Sequence, residues 1–479
     1  MNRSFGRWLL VLVSMVIGFL ASAMADSNAR IVRLSDVQGD VKIDRATGQG
    51  FEKAFLNMPI TQGVRLWATN DARAEVEFED GSTIHLTPDT IVAFTDLSLK
   101  DSGAKVSTVD LKQGEAYFSF AGKKDDEFKV TFVRELIQIS EPAHLRIDVN
   151  DAKAEVAVLK GDINVQGPSG EVKLSKKQTA TFDLADNDKY QVAKNVEKDP
   201  FDDWDKKQTE YHDQYSARNS YNAPYSYGVS DLNYYGSFRN VPGYGNMWQP
   251  YFAGAGWDPF MDGAWMWYPG FGYSWVSAYP WGWMPYHYGS WAFVPSYGWM
   301  WQPGNSWVAW NRVPPVINPP RQYVPPRPPT VASRQPVIVG RGPTSSAFQP
   351  RMADGSKIVV RGNNAGLGVP RGVRNLESLN RRVESKGSAT LSPRSVPRAM
   401  APMPNAAGRP AEMGGRDRMT GPARGARTDS MGATRTTNSA PRTGGGMGAG
   451  RPSSGAGMGA GRSSSGGSAP HSSGTAPHR

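Results

Sequence analysis

An aromatic motif that occurs three times between residues 234 and 310 constrains this chain more than any other feature. Its copies begin at Gly236, Gly263 and Gly289, and each follows the pattern G-x-[FW]-x-x-x-P-x-[YF]-G-x-x-W. A period of 27 and then 26 residues is typical of one small supersecondary unit used several times. Gly and Pro interrupt every apolar helix face in the motif, at roughly 1 and 3 kcal/mol per residue, so we predict β-hairpins and not helices.

Tryptophan is concentrated in the same region, which holds 12 of the 15 Trp residues of the chain. Two interpretations fit this pattern. The rings stack between neighbouring hairpins as a thin core, or one face stays open as a platform for a sugar or a peptide, because exposed aromatic patches commonly mark binding surfaces. His287, which lies between two tyrosines, has either a packed structural role or contact with a ligand hydroxyl. For the platform we predict six ligand-binding residues: Trp265, Trp275, Trp283, His287, Trp291 and Trp301.

Residues 1–25 are predicted to be a signal peptide. Arg3 and Arg7 precede a mostly apolar run, and a small-x-small site, Ala-Met-Ala, ends directly before Asp26. Cleavage is therefore expected before Asp26, and an uncleaved membrane anchor is the alternative. The chain has no cysteine, which excludes disulfides, thiolate metal sites and a lipoprotein anchor. We expect an exported protein in the periplasm, the cell envelope or the extracellular space.

Residues 26–198 show short runs of period-2 alternation broken by Gly, Asp and Asn, a pattern that predicts half-buried strands of an all-β sandwich or roll. The alternation is clearest in the run from Val76 to Glu79. We expect the acidic side chains of this strand to form its solvent-exposed face: Glu75, Glu77, Glu79 and Asp80.

Four stretches of this region resemble the FecR-type periplasmic domain. They read VQGDVKI, PITQGVRLWATNDARAEVEFEDGSTIHLTPDTIV, LKQGEAYFSF and VAVLKGDINV, and the resemblance covers about residues 31–185. It implies a β-rich periplasmic domain, and the namesake of the family passes an outer-membrane transport signal to an inner-membrane anti-sigma system. This chain has a signal peptide where the namesake has a cytoplasmic segment and a membrane helix. It also has Glu141-Pro142-Ala143-His144 where a Gly-Thr often precedes the penultimate core strand, so the resemblance implies fold and compartment more than role.

Residues 199–222 are predicted to be a connector with a short amphipathic helix, because its aromatic residues recur at helical spacing. The connector, with FDDWDKKQTEYHDQYSARNSY, and the module at residues 223–312, with WGWMPYHYGSW and YGWMWQPG, resemble an uncharacterised module rich in Tyr, Trp, Pro and Gly. That module follows FecR-type domains in bacterial envelope proteins. The resemblance implies no known activity.

The remainder of the chain changes in composition and charge. Residues 313–330 contain four Pro-Pro pairs, which predict a stiff polyproline II linker of roughly 3.1 Å per residue. Residues 331–479 are rich in Gly, Ser and Arg and are predicted to be disordered, apart from a short helix at Arg374–Glu384. Residues 311–479 hold 25 Lys and Arg against 6 acidic residues, a net charge of +19. In an exported protein this tail is expected to bind anionic envelope components, and no nucleic acid is expected.

No arrangement typical of an active site or a cofactor site occurs in the sequence. The six histidines are scattered, and the chain has neither an HExxH pair nor a phosphate-binding loop. Asp202, Asp203 and Asp205 lack the Gly and the distal Glu of a calcium loop. We therefore predict no catalytic residues, no metal, no cofactor and no enzymatic activity.

Together these features predict a mainly β protein: a FecR-like β-sandwich or roll, aromatic β-hairpin repeats and a long disordered Pro/Gly/Arg-rich tail. As its function we predict an exported, non-enzymatic binding or scaffold protein of the cell envelope. It would contact polysaccharide through the aromatic repeats and other anionic envelope components through the tail. The alternative is a periplasmic signalling component of FecR type that relays to a membrane regulator, and either function allows an envelope protein partner.

Overall fold

Seventeen strands form between residues 32 and 193, where the sequence alternates between apolar and polar residues. They are β1 Val32–Gln38, β2 Val41–Asp44, β3 Glu52–Lys53, β4 Pro59–Ile60, β5 Arg65–Ala68, β6 Arg73–Glu77, β7 Thr83–Leu86, β8 Thr90–Leu99, β9 Lys105–Phe120, β10 Glu127–Phe132, β11 Glu135–Ile139, β12 Ala143–Val149, β13 Lys153–Lys160, β14 Asp162–Gly167, β15 Gly170–Ser175, β16 Thr179–Asp183 and β17 Lys189–Ala193.

This structure is a computed structural model. It describes residues 30–122, 125–217, 223, 225–308, 310–340, 352–353, 357–373 and 375–391. The fold is mainly β, as predicted. Among these residues no helix is long and apolar enough to cross a membrane. The predicted signal peptide and the predicted tail beyond residue 391 lie outside the described residues.

The seventeen strands make two sheets that share β9. The first sheet has the order β4-β1-β6-β7-β9-β12-β13-β16-β17, and the second has the order β3-β2-β5-β8-β9-β10-β11-β14-β15. All pairs are antiparallel except β9 with β10. Side chains such as Val76 and Phe118 of the first sheet and Leu66 and Val130 of the second belong to one hydrophobic core.

Strand β9 changes sheets at Gly114. Residues before it pair with β8, and residues from Gly114 to Phe120 pair with β12. Gly114 has a φ of 82°, and a Cβ at this position would lie 2.6 Å from Thr90 Oγ1. Only glycine meets both conditions without strain, so this residue lets one long strand turn from one sheet into the other.

Two helices follow the sheets: α1 Asp202–Ser216 and α2 Val229–Tyr235. Helix α1 lies where the spacing of aromatic residues predicted an amphipathic helix, and its buried face includes Trp204, Gln208 and Tyr211. Its first turn carries three aspartates, which are favourable at the positive end of the helix dipole.

Each copy of the aromatic motif forms a two-stranded antiparallel hairpin, as the sequence predicted. The strands are β18 Gly236–Val241 with β19 Gly245–Pro250, β20 Gly263–Tyr268 with β21 Gly272–Ser277, and β22 Tyr288–Val294 with β23 Gly298–Trp307. A short helix, α3 Met284–His287, precedes β22. The third and last residues of the motif are always direct partners: Phe238 with Trp248, Trp265 with Trp275, and Trp291 with Trp301.

The conserved spacing within the motif follows from hairpin geometry. In each turn Pro is followed by a residue with positive φ, 84° at Gly243, 78° at Gly270 and 70° at Ser296, as in a type II turn. The first Gly of the motif lies under the indole of the last Trp. A Cβ added to Gly263 would lie 2.3 Å from Trp275 Cζ2, so a side chain and the indole cannot occupy the same place.

We therefore expect Gly263→Ala to lower the free energy of unfolding by about 1–3 kcal/mol, because the added methyl group overpacks a buried site. Gly256→Ala is the matched control, since its Cβ would contact only Asn363 Nδ2 at 3.6 Å. The control should change stability by less than about 0.5 kcal/mol. Urea unfolding monitored by Trp fluorescence measures both values, and equal losses for the two variants would contradict this account of the motif.

The ordered chain continues beyond the module boundary predicted at residue 312. Two short strands, β24 Val316–Ile317 and β25 Val337–Val339, pair with β22 and β20, so the segment predicted as a free Pro-rich linker lies along the hairpins. Three further strands and a helix follow: β26 Met352–Ala353, β27 Lys357–Arg361, α4 Leu376–Lys386 and β28 Ser388–Leu391.

Residues 357–373 and 387–391 thus differ from the disorder predicted for residues 331–479, whereas a short helix was predicted where α4 lies. Helix α4 begins two residues after the predicted Arg374 and buries Leu376, Leu379 and Val383 in the common core. The sequence of this segment has too little apolar surface to fold alone, but the aromatic module supplies the missing surface. The prediction considered the segment in isolation and therefore missed this packing.

Candidate functional site

The acidic residues of β6 are buried, which corrects the prediction that they form a solvent-exposed face. Glu75, Glu77 and Glu79 expose 0%, 2% and 7% of their surface. Asp80, next along the chain, is also largely covered. Because a buried charge without a partner costs several kcal/mol, these carboxylates require cations around them.

Two arginines of the N-terminal segment meet the outer carboxylates. Arg30 binds Glu79 through both Nε and Nη2, at 2.9 and 2.7 Å. Arg33 on β1 lies with Nη1 3.2 Å from Glu77 Oε2. Glu77 also accepts a hydrogen bond from the backbone N–H of Gly228, directly before α2, at 3.0 Å. The charged face of β6 is therefore tied to the start of the aromatic module.

Asp231 on α2 connects the Arg33–Glu77 pair to a second arginine, Arg371. Its carboxylate is 1% exposed and lies 2.6 Å from Arg33 Nη2 and 3.0 Å from Arg371 Nη2. It also accepts a hydrogen bond from the Tyr211 hydroxyl of α1 at 2.7 Å. Burial opposes the charged form of Asp231, but the two arginines outweigh this effect and lower its pKa.

Arg371 comes from the segment that was predicted to be disordered. Its Nη1 lies 2.8 Å from Glu75 Oε1, and its Nη2 donates to the backbone carbonyl of Ser35 at 2.8 Å. The guanidinium lies over the Tyr211 ring, 4.8 Å from the centroid. We call residues 363–373 the strap, because they carry this arginine across the aromatic module to β6.

Aromatic side chains of the module hold the backbone of the strap. Trp281 Nε1 donates to the carbonyl of Ala365 at 2.7 Å, and the Tyr235 hydroxyl donates to that of Val369 at 2.8 Å. The Tyr234 hydroxyl donates to the carbonyl of Val373 at 2.9 Å. One function of the buried aromatic residues is thus to anchor a peptide of the same chain.

Three histidines complete the cluster. His212 Nε2 lies 2.9 Å from Glu75 Oε1, and His85 Nδ1 lies 2.7 Å from Asp205 Oδ1. His144 Nε2 lies 3.1 Å from the other oxygen of Asp205. Burial opposes the charged form of His85, but the hydrogen bonds and charges of Asp205 and Glu75 outweigh it and raise its pKa to about 9.

The pKa values of Glu75 and Asp205 shift in the opposite direction to that of His85. Burial opposes their charged forms, but His212 and Arg371 hold the pKa of Glu75 well below its usual range. The hydrogen bonds from His144 and His85 lower the pKa of Asp205 to about 2. Contacts of His85 with Asp205 and of His212 with Glu75 therefore join β6 and β7 to α1. A groove of about 290 Å³ between α1 and the first sheet, lined in part by His144 and His212, gives water access to one side of the cluster.

The triple of Ser230, His212 and Glu75 contains the residue types of a nucleophile, a base and an acid. His212 Nδ1 lies 3.2 Å from Ser230 Oγ, but Ser230 is 1% exposed. Burial opposes the charged form of His212, but the charges of Glu75 and Glu77 outweigh it and raise its pKa. A nucleophile must be accessible to its substrate, so the buried Ser230 fits a structural role. Within the described ranges no three His, Cys, Asp or Glu side chains are placed to hold a metal ion.

The six residues predicted to bind a ligand lie in the interior. Each is at most 5% exposed, with His287 at that limit: Trp265, Trp275, Trp283, His287, Trp291 and Trp301. Trp265 and Trp275 pack edge to face at 5.5 Å, and His287 stacks on Trp307 at 4.6 Å. Burial, with a smaller effect of Arg33, lowers the pKa of His287 to about 3. Of the two interpretations, the structure therefore shows the one in which the rings form a packed core. The binding role stays a prediction that requires the module to open.

Two protein families match separate parts of the chain, and each match contains residues of this cluster. The family described as FecR protein matches residues 64–164, which contain the β6 glutamates, His85 and His144. The chain carries a FecR domain. A second family, DUF6600, described as a family of unknown function, matches residues 229–318, which contain α2 and the three hairpins. Both resemblances inferred from the sequence are therefore confirmed, and the cluster joins the FecR domain to the DUF6600 domain.

Among solved structures, the chain is similar to two crystal structures of a "putative anti-sigma factor" from Parabacteroides distasonis ATCC 8503. The 1.65 Å structure has 17% identity and a TM-score of 0.25, and the 2.50 Å structure has 16% identity and a TM-score of 0.24. The similarity covers 27% of this chain and 59% of each of those chains. No curated protein matches the chain.

Proposed function

We propose that the protein is a periplasmic signalling component of FecR type that relays a state of the cell envelope to a membrane regulator. The FecR domain at residues 64–164 carries this proposal. Proteins with this domain are regulatory rather than enzymatic, are periplasmic or membrane-associated, and interact with membrane regulators.

The buried cluster supports the proposal physically. Glu75 pairs with His212 on α1 and with Arg371 on the strap, and Glu77 accepts a hydrogen bond from the Gly228 N–H at the start of the aromatic module. A rearrangement of the aromatic module would release the strap that it holds, and Glu75 would then lose Arg371 as a partner. A change in one domain therefore alters the energy of the other, which is the requirement for a relay.

The polysaccharide scaffold, predicted first from the aromatic residues, finds no support in the comparisons. The rings expected to stack on a glycan instead pack against one another, and three aromatic donors of the module bind the strap. The anionic partner of the basic tail stays a prediction, and most arginines of the tail lie outside the described ranges. The signalling component, given as the alternative, is the better-supported function.

Site-specific photo-crosslinking in intact cells tests the proposal. A photoreactive residue at Val133 or Leu99, which are 51% and 37% exposed in the FecR domain, should capture an inner-membrane regulator. The same group at Val324, 69% exposed beside the hairpins, is the matched control and should not capture it. Capture of cell-wall material alone from the FecR positions would contradict the proposal.

A further inference from the structure

The environment of Arg371 has the construction of a binding site for one arginine. Two buried carboxylates, Glu75 and Asp231, contact different nitrogens of the guanidinium, the Ser35 carbonyl accepts a further hydrogen bond, and the Tyr211 ring covers one face. Forked donors opposite two carboxylates and a ring under the guanidinium plane are features that select arginine over lysine.

The groups that contact Arg371 belong to elements far from it in the sequence. They come from β1, β6, α1 and α2, and Arg371 is separated from Glu75 by 296 residues and from Asp231 by 140. Arg33 on one side of Asp231 and His212 on one side of Glu75 fix the two carboxylates in place. The groups that bind this arginine therefore all come from elements distant from it in sequence.

The rest of the strap is recognised mainly through its backbone. The hydrogen bonds from Trp281, Tyr235 and Tyr234 end on carbonyl oxygens, which every peptide offers. The buried strap side chains are small or aliphatic: Ala365, Leu367, Val369 and Val373. The chemistry of the site thus fits a peptide rich in Gly, Val and Pro that carries a single arginine at a fixed position.

The tripeptide Val-Pro-Arg of the strap occurs a second time in the chain, near a second arginine, Arg394. Val369-Pro370-Arg371 of the strap recurs as Val396-Pro397-Arg398, and residues 392–479 hold 12 arginines against 3 acidic residues. A positively charged, Pro- and Gly-rich tail is complementary to a pocket formed by two buried carboxylates. Removal of Arg371 without replacement would take one cation from each of two buried carboxylates and leave Asp231 with Arg33 and Glu75 with His212, so an exchange of arginines costs less than a vacancy.

We propose that Glu75, Asp231, Tyr211 and the Ser35 carbonyl form a binding site for the arginine of a Val-Pro-Arg segment, and that Arg398 competes with Arg371 for it. Arg371 is the resident ligand, because its connection to the site gives it a high effective concentration. When Val396-Pro397-Arg398, from the same chain or a second copy, takes the site, the strap leaves the module. This inference does not depend on the proposed signalling partner.

Binding of labelled peptides to the full-length Arg371→Ala variant tests the site. The peptides have the sequences of residues 363–375 and 390–402, and the matched controls replace the arginine at 371 or 398 with citrulline, which keeps the shape and removes the charge. Both arginine peptides should bind the variant, and the citrulline peptides should bind it at least ten-fold more weakly. Wild-type protein, whose site is occupied by Arg371, should bind the arginine peptides at least ten-fold more weakly than the variant does.

A second preparation covers the case in which the variant does not fold. In the wild-type chain, a protease site inserted between residues 341 and 350 is cleaved, and excess peptide 363–375 should then displace the C-terminal fragment while its citrulline form should not. Equal action of arginine and citrulline peptides in either preparation overturns the arginine site. Binding of the strap peptide but not of peptide 390–402 overturns the competition by Arg398.

Discussion

Replacement of Arg371 by alanine is expected to lower the free energy of unfolding by about 3–5 kcal/mol, the range typical for the loss of one partner of a buried ion pair. The expected loss arises from the two buried carboxylates that remain. Glu75 and Asp231, 0% and 1% exposed, would lose a shared cation and could not recover it from water. Arg33 would remain beside Asp231 and His212 beside Glu75, but the part of each charge that Arg371 balances would have to be met by a proton or by water drawn into the core. Both responses cost free energy.

Arg371→Lys keeps the charge but not the fork, so it should recover only part of the loss. Arg381→Ala is the matched control, because Arg381 lies on the exposed side of α4 and should change stability by less than about 0.5 kcal/mol. Chemical unfolding monitored by circular dichroism gives the three values. A loss below about 1 kcal/mol for Arg371→Ala would show that the strap arginine does not stabilise the cluster.

The hairpins were predictable because their causes are local. The first Gly, the Pro and the last Trp of each motif meet within one hairpin, so a period of 26 or 27 residues was enough to indicate the fold. Helix α1 was predictable for the same reason, since the spacing of Trp204, Gln208 and Tyr211 places them on one face.

The burial of the β6 glutamates was not predictable in this way. Alternation along a strand shows which side chains share a face, but it does not show what covers that face. Charged residues are almost never fully buried unless they are paired, so exposure was the sound expectation for Glu75 and Glu77. The partners of Glu75, His212 and Arg371, lie 137 and 296 residues from it along the chain, so no local pattern indicates the pairing.

The aromatic module shows the same limit of a local pattern. The motif fixed the pairing of Trp265 with Trp275 and of Trp291 with Trp301, but both a core and an open platform satisfy that pairing. Whether the rings form a core or an open platform depends on segments that follow the hairpins in the sequence. Residues 316–317, 337–339 and the strap cover hairpin surface that would otherwise face water.

Stability is also expected to fall at alkaline pH because of His85. Its pKa is raised to about 9 in the folded protein from an ordinary value of 6.5, since hydrogen bonds and charges of Asp205 and Glu75 outweigh burial. A raised pKa means that the folded state binds the proton more tightly than the unfolded state. The stabilisation is therefore complete below pH 6.5 and is lost as pH rises through 9, a change of about 3 kcal/mol.

His85→Gln separates this effect from others of the same sign. Glu115, whose pKa burial and Asp199 raise to about 9, also contributes to the alkaline loss, so the difference between wild type and variant is the quantity to measure. Urea unfolding from pH 5 to pH 9.5 should show a difference of about 3 kcal/mol at pH 6 that shrinks toward zero at the alkaline end. A difference that stays constant across this range would contradict a charged His85.

His287 is expected to give the opposite pH dependence of stability. Burial lowers its pKa to about 3, so the neutral imidazole stabilises the fold above pH 6.5 and this stabilisation is lost as pH falls toward 3. His287→Asn should therefore flatten the acid side of the stability profile, while His85→Gln flattens the alkaline side. Because one histidine faces carboxylates and the other faces indole rings, the two variants distinguish an ionic contact between the domains from an apolar core within the module.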